Sequence, residues 1–144
     1  MGIPVSKLRR IVRHCQPRVL IRLTYPALYP DPEKSLAHLK RIVGYLKDQK
    51  NAGFWVRDIQ SRGAPFFWLL VSRYVPKDQL AKTWYEIVGS ADPAHLKAGT
   101  SVSGFQFERG YEQFLKKTIL PGIKTPGFRY GTFGSWKAKL LSWF

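Results

Sequence analysis

Phe66 and Trp68 stand two residues apart in a run of strand-forming residues, with Arg62 before them and Arg73 after them. Alternate residues of a strand share a face, so the two rings point the same way. Rings flanked by guanidiniums suit a single-stranded nucleic acid, because bases stack on the rings and the cations hold phosphates on either side. The same rings also suit a filled core, since buried aromatics contribute strongly to packing. Metal chemistry has a poorer basis. His14 and Cys15 are adjacent and isolated, and His95 has no partner at a ligand spacing. Asp58 and Gln60, helped by a hydroxyl, are the residues for an oxygen-only magnesium site, but such sites usually need carboxylates plus bound phosphate.

These residues need a hairpin to hold them. Phe54, Val56, Asp58 and Gln60 alternate onto one face of a first strand. Ser61-Arg62-Gly63-Ala64 makes the turn, with Gly63 supplying its backbone freedom, and Pro65 can open a second strand without breaking a ladder. Phe66, Trp68 and Leu70 then share one face, and Phe67, Leu69 and Val71 the other. Upstream, residues 18–26 read as a strand with Val19, Ile21 and Leu23 on one side and Leu20, Arg22 and Thr24 on the other. Before it, residues 5–16 suit a short basic helix with Val5, Leu8, Ile11 and Val12 aligned. Asp31 caps a helix with Pro32 at its first position. That helix runs to about Gln49 with a stripe of Leu36, Leu39, Val43 and Leu46, and Asn51 and Gly53 end it.

Pro76 opens a second helix to about Val88, with Leu80, Trp84 and Ile87 or Val88 inward. Gly89 to Gly99 reads as a loop, Ser101 to Phe107 as a strand, and Tyr111 to Ile119 as a short helix stopped by Pro121-Gly122. The tail ends in Trp136, Leu140, Leu141, Trp143 and Phe144. It either caps the core or anchors a partner or membrane interface. The expected class is α+β, with a central antiparallel sheet and helices packed mainly on one face, in a single domain over 1–144.

The 144 residues carry a formal net charge of +15, which points to a polyanion: DNA, RNA or an anionic membrane surface. Residues 1–30 hold Lys7, Arg9, Arg10, Arg13, Arg18 and Arg22 with no acid, and residues 113–144 hold Lys116, Lys117, Lys124, Arg129, Lys137 and Lys139 with no acid. Brought together, the two ends would make one basic face that binds phosphate and releases counterions. The lone Cys15 cannot form an internal disulfide, which leads one to expect a reducing compartment such as the cytoplasm. No apolar run is long enough to span a membrane, and no apolar signal core follows the basic N-terminus.

Arg62-Gly63-Ala64-Pro65 and the positions after it resemble a stretch of the HUH endonucleases, the rolling-circle replication initiators of bacterial plasmids and phages. In that family Arg-Gly-Ala-Pro precedes His-hydrophobe-His. Leu23-Thr24-Tyr25-Pro26 is similar to the family's Thr-Leu-Thr-Tyr-Pro on its first strand, with Arg22 departing. Gly127-Phe128-Arg129-Tyr130-Gly131 is a loosened version of its Gly-Arg-Phe-Trp-Gly. The resemblance covers roughly residues 7 to 134. In the family, two histidines and an acidic or amide side chain hold a divalent metal that polarises a phosphate. A tyrosine attacks and stays bound to the 5′ phosphate. Carried over, the acidic ligand falls on Asp58, the histidines on Phe66 and Trp68, and the tyrosine on Phe114 within Gln113 to Lys117. Phe66 and Trp68 cannot ligate a cation, and Phe114 has no oxygen to attack with. Tyr111, one helical turn earlier, is the substitute nucleophile.

The resemblance therefore implies a catalytically inactive, cofactor-free DNA-binding protein, directed mainly at single strands. It would coat a replication intermediate or sit at an origin without nicking it, in the bacterial cytoplasm if phage- or plasmid-encoded. The expected DNA contacts are Arg9, Arg10, Arg13, Arg22, Arg57, Arg62, Arg73, Lys116, Lys117 and Arg129, with the rings of Phe66, Trp68, Phe114 and Tyr130. Two other classes stay open. One is an interaction module that self-associates or pairs with an active initiator or host protein. The other is a nickase using Tyr111.

Overall fold

Alternating apolar residues place five strands: β1 (Val19–Leu23), β2 (Gly53–Ile59), β3 (Pro65–Val71), β4 (Thr100–Gly104) and β5 (Arg129–Phe133). They form one antiparallel sheet in the order β4-β1-β3-β2-β5. The computed structural model describes residues 17–106, 113–123 and 125–134, with Ser6, Arg10 and Gly110 besides. Helix α1 (Pro32–Asp48) joins β1 to β2, while α2 (Lys77–Val88) and α3 (Pro93–Ala98) join β3 to β4. A π-helical turn, Leu115–Ile119, runs into α4 (Leu120–Ile123) ahead of β5. The first four strands and the two long helices have the split βαβ arrangement, with β5 added beside β2. The expected α+β class is what the chain adopts.

Helices α1 and α2 bury their stripes on one sheet face. Val19, Ile21, Leu23, Phe67, Leu69 and Val71 meet Leu39, Ile42, Leu46, Leu80 and Trp84 there. Asp31 caps α1, its carboxylate accepting from the Glu33 and Lys34 amides at 2.8 and 3.4 Å, a contribution of about 1 kcal/mol. Trp84 is fully buried and donates its indole N–H to the Thr24 carbonyl at 2.8 Å, so its polar edge is satisfied inside the core.

The structure corrects four boundaries. Helix α1 ends at Asp48 with Gln49 as its cap, as expected, and Lys50 takes the left-handed backbone, φ 61°. Gly53 already belongs to β2, and the Asn51 amide instead ties the helix end to β3, accepting from the Arg73 N–H at 3.0 Å. The Gly89 to Gly99 segment contains α3, started by the Asp92 carboxylate on the Ala94 amide. β4 stops at Gly104, and Phe107 lies outside the described residues. Pro121-Gly122 does not stop the helix: Pro121 sits in the first turn of α4, where its missing N–H costs nothing. The basic helix expected over 5–16 lies outside the described residues apart from Ser6 and Arg10, which are helical, and the tail beyond Gly134 lies outside them too.

Candidate nucleic-acid interface

The second sheet face carries Leu20 and Arg22 of β1, Phe54, Val56 and Asp58 of β2, Phe66, Trp68 and Leu70 of β3, and Tyr130 of β5. One end of it is covered. Ile119 is buried against Phe54, Val56 and Leu70, with Phe114, Phe105 and Phe128 packed around them. The other end keeps Phe66 and Trp68 half-buried and Arg22 exposed. Strand register sets the neighbours. Arg22 stands opposite Trp68, Trp68 opposite Val56, and Val56 opposite Tyr130, so these four form one row across the face.

The aromatic rings are in contact. Phe66 and Trp68 have centroids 6.0 Å apart at 74°. Trp68 meets Phe114 at 6.2 Å and 88°, and Phe114 meets Phe54 at 5.9 Å. The Arg22 guanidinium lies 5.4 Å from the Phe66 centroid and 5.5 Å from that of Trp68. A guanidinium within about 6 Å of a ring centroid is attracted by the ring quadrupole. Thus an exposed cation lies beside both rings. Asp58 stands opposite Phe66 in register, half-buried, and its carboxylate accepts from the Ile59 amide at 2.8 Å. The positions that the resemblance assigns to metal ligands and nucleophile therefore meet on one face, and three of the four are aromatic rings with no metal-ligating or nucleophilic atom. Among the described residues, no group of three or more His, Cys, Asp and Glu side chains is placed to hold a metal ion.

Several expected contacts lie elsewhere. Arg57 alternates onto the helix side of β2 and has no exposed surface. It donates through Nε and one Nη to the Gly127 carbonyl at 3.1 and 2.7 Å, and through the other Nη to the Pro32 carbonyl. Glu33 lies 3.7 Å away. Burial lowers the guanidinium's pKa from its ordinary value, and the Glu33 carboxylate opposes that pull. Arg57 therefore clasps the turn before β5 to the start of α1, and DNA cannot reach it. Gly127, at φ 86°, allows the turn that aims its carbonyl at this cation. Arg129 is on the same side, 3.3 Å from Glu33, away from the rings.

Arg62 is exposed but occupied. It donates to Gln60 Oε1, to the Tyr25 carbonyl and to the Pro26 carbonyl, at 3.0, 3.1 and 3.3 Å. Its guanidinium also lies 4.9 Å from the Tyr29 ring, and the Tyr29 hydroxyl donates to the Arg62 carbonyl. It locks the β2–β3 turn, where Gly63 has φ 90°, onto the loop after β1. Lys116 and Lys117 are exposed on the covering segment. Tyr130 is half-buried at the end of the row, where burial raises its hydroxyl pKa. Arg10 is exposed and helical; Arg9, Arg13 and Tyr111 lie outside the described residues.

Tyr25, in the stretch similar to the family's first strand, is a core residue. Its hydroxyl shares a 2.8 Å hydrogen bond with His38 Nδ1. Burial pushes the Tyr25 hydroxyl pKa up, against the pull of Arg57. Burial, then the charge of Arg41, lowers that of His38. His95 is also buried, its Nε2 2.7 Å from the Thr24 carbonyl.

Arg18 is a residue that strand reasoning could have added. It precedes β1 in the alternation of Leu20 and Arg22, and it lines a cleft with Arg73. Comparison with known proteins finds no match: no family model, no curated protein and no solved structure corresponds to this chain. No helix of the described residues is long and apolar enough to cross a membrane.

Proposed function

We propose that this chain binds single-stranded DNA across the Phe66–Trp68 end of its sheet, as a catalytically inactive relative of the HUH endonucleases. The observation that carries this reading is the Arg22 guanidinium lying within 5.5 Å of both ring centroids, where Arg22 is exposed and Phe66 and Trp68 are half-buried. Bases stack on such rings with little sequence preference, and each stacked base contributes about 1–3 kcal/mol. Arg22 and the exposed Lys116 and Lys117 supply phosphate contacts, and the excess of 24 Lys and Arg over 9 Asp and Glu supplies the steering field. In place of two imidazoles and a phenol, Phe66, Trp68 and Phe114 leave the face able to hold a strand and unable to cut it.

The test is a binding titration against single- and double-stranded DNA at two salt concentrations. Tighter binding of the single strand, weakened by salt, is the expected result. Equal affinity for duplex, or none for either, overturns the reading.

A further inference from the structure

Among the described strand residues of the face with the rings, Asp58 is the one acid. It stands directly opposite Phe66 in the pairing of β2 with β3, so carboxylate and ring are neighbours on that face. Opposed side chains of an antiparallel pair have Cβ atoms about 4.5–5.5 Å apart. The carboxylate is half-buried, and its Oδ1 accepts from the Ile59 amide at 2.8 Å. The ion pairs among the described residues join Arg57 and Arg129 to Glu33, and neither reaches Asp58. Oδ2 is therefore left to accept from something else. On the other side of the rings, the Arg22 guanidinium lies 5.4 Å from the Phe66 centroid. The rings thus sit on β3 between a cation on β1 and an anion on β2. These outer strands are about 10 Å apart, at ~4.8 Å per strand spacing. An anion at this place repels phosphate, so it fits a contact with the base and not with the backbone.

We infer that Asp58 makes the ring site selective for guanine, its carboxylate accepting from N1–H and the N2 amino group of a guanine stacked on Phe66. This rests on the single-strand reading of the Phe66–Trp68 end, and it adds a base preference that stacking alone does not give. A carboxylate accepts hydrogen bonds and donates none, and an oxygen that already takes one amide has a lone pair left. The Watson–Crick edge is open in a single strand. Guanine presents two adjacent N–H donors there, which match the two carboxylate oxygens. Adenine and cytosine present one amino group beside a ring nitrogen whose lone pair faces the second oxygen. Thymine presents one N–H between two carbonyls, and both repel the carboxylate. Arg22 sets the orientation. A phosphate drawn to its guanidinium puts the backbone on the β1 side and turns the base edge toward β2, where Asp58 stands.

The experiment titrates an eight-nucleotide thymidylate strand, and the same strand with one central guanine, inosine, adenine or cytosine, against the wild type, D58N and W68A. EDTA is present throughout, so that no cation bridges Asp58 to a phosphate. The wild type is expected to bind the guanine strand about tenfold tighter than the all-thymine strand. The inosine strand, which lacks the N2 amino group, falls between them. In D58N, whose amide oxygen keeps an acceptor for the Ile59 N–H, the guanine and thymine strands bind alike. Equal affinity of the wild type for these two strands overturns the inference, and weaker binding of both by W68A then leaves the ring site standing. A guanine preference that persists in D58N also overturns it, since another group then reads the base. So does an inosine strand that binds as tightly as the guanine strand, since the N2 donor is then unread. A wild type that binds none of the strands overturns the ring site, and the role of Asp58 with it. The base series on the wild type needs no substitution, so it decides the matter even where D58N melts lower.

Discussion

Trp68 meets Phe114 edge-on, with centroids 6.2 Å apart and planes at 88°. The two are distant in sequence, one on β3 and one in the segment that crosses the sheet. The resemblance places a metal histidine at the first and the nucleophilic tyrosine at the second. A working site needs those two groups close together, and the rings are close together. Neither ring offers a metal ligand or a nucleophilic oxygen: Trp68 presents an indole and Phe114 a phenyl ring.

No metal-dependent cleavage is therefore expected. Supercoiled and single-stranded DNA incubated with the protein and Mn²⁺ should remain unnicked, with no covalent protein–DNA adduct. Nicking that disappears in Tyr111→Phe would contradict the inactive reading, because Tyr111 is the available substitute for Phe114.

Arg57 separates stability from binding. Its side chain is fully buried and donates to two backbone carbonyls, with Glu33 3.7 Å away. Arg57→Met leaves those carbonyls without a donor, and each buried acceptor left unsatisfied costs about 1–3 kcal/mol. The urea midpoint should fall accordingly, while the folded fraction keeps its DNA affinity. A loss of affinity with an unchanged midpoint would place Arg57 at the DNA surface, against its burial.

The sheet face is legible in the residues themselves; the outer elements are less so. Alternation over Val19–Leu23 and Phe54–Val71 marks both sides of the sheet, because each strand has one solid apolar side. Arg57 deceives by type: it falls in register with Trp55, on the helix side, where a buried cation is uncommon. Asp92-Pro93 carries the same start signal as Asp31-Pro32, but the six-residue helix behind it is too short to show a stripe. β5 hides behind its glycine, which sequence propensity counts against a strand. Gly131 is there because a Cβ would come within 2.8 Å of the Trp55 ring. The cleft of Arg18 and Arg73 needs two strand ends brought side by side, which only the pairing of β1 with β3 shows.

His38 gives a pH dependence. Burial and Arg41 lower its pKa in the folded protein, so the unfolded chain binds the proton more readily. Stability from this group is then fully present above the unfolded value of about 6.5 and is lost as pH falls below it. The melting temperature should drop between about pH 7 and pH 5, and less so in His38→Asn. An equal drop in the variant would mean that other groups carry it.

Binding should respond steeply to salt. A protein that neutralises about six to ten phosphates loses roughly 10³–10⁵ in affinity between about 50 and 200 mM salt. The cations at the two ends of the chain are numerous enough for that range. A flat response would mean that the net charge of +15 serves something other than phosphate contact.

The central claim is that Trp68 takes a base, and one variant measured two ways tests it. Trp68 is half-buried, so Trp68→Ala should lower the melt modestly and weaken single-stranded DNA binding by about 1–3 kcal/mol, measured well below the melt. Indole fluorescence of the wild type should fall on adding the strand, read by difference against the variant because Trp55, Trp84, Trp136 and Trp143 also emit. A melt lowered by the equivalent of about 3–5 kcal/mol, with DNA affinity unchanged, would make Trp68 core filling and contradict the account.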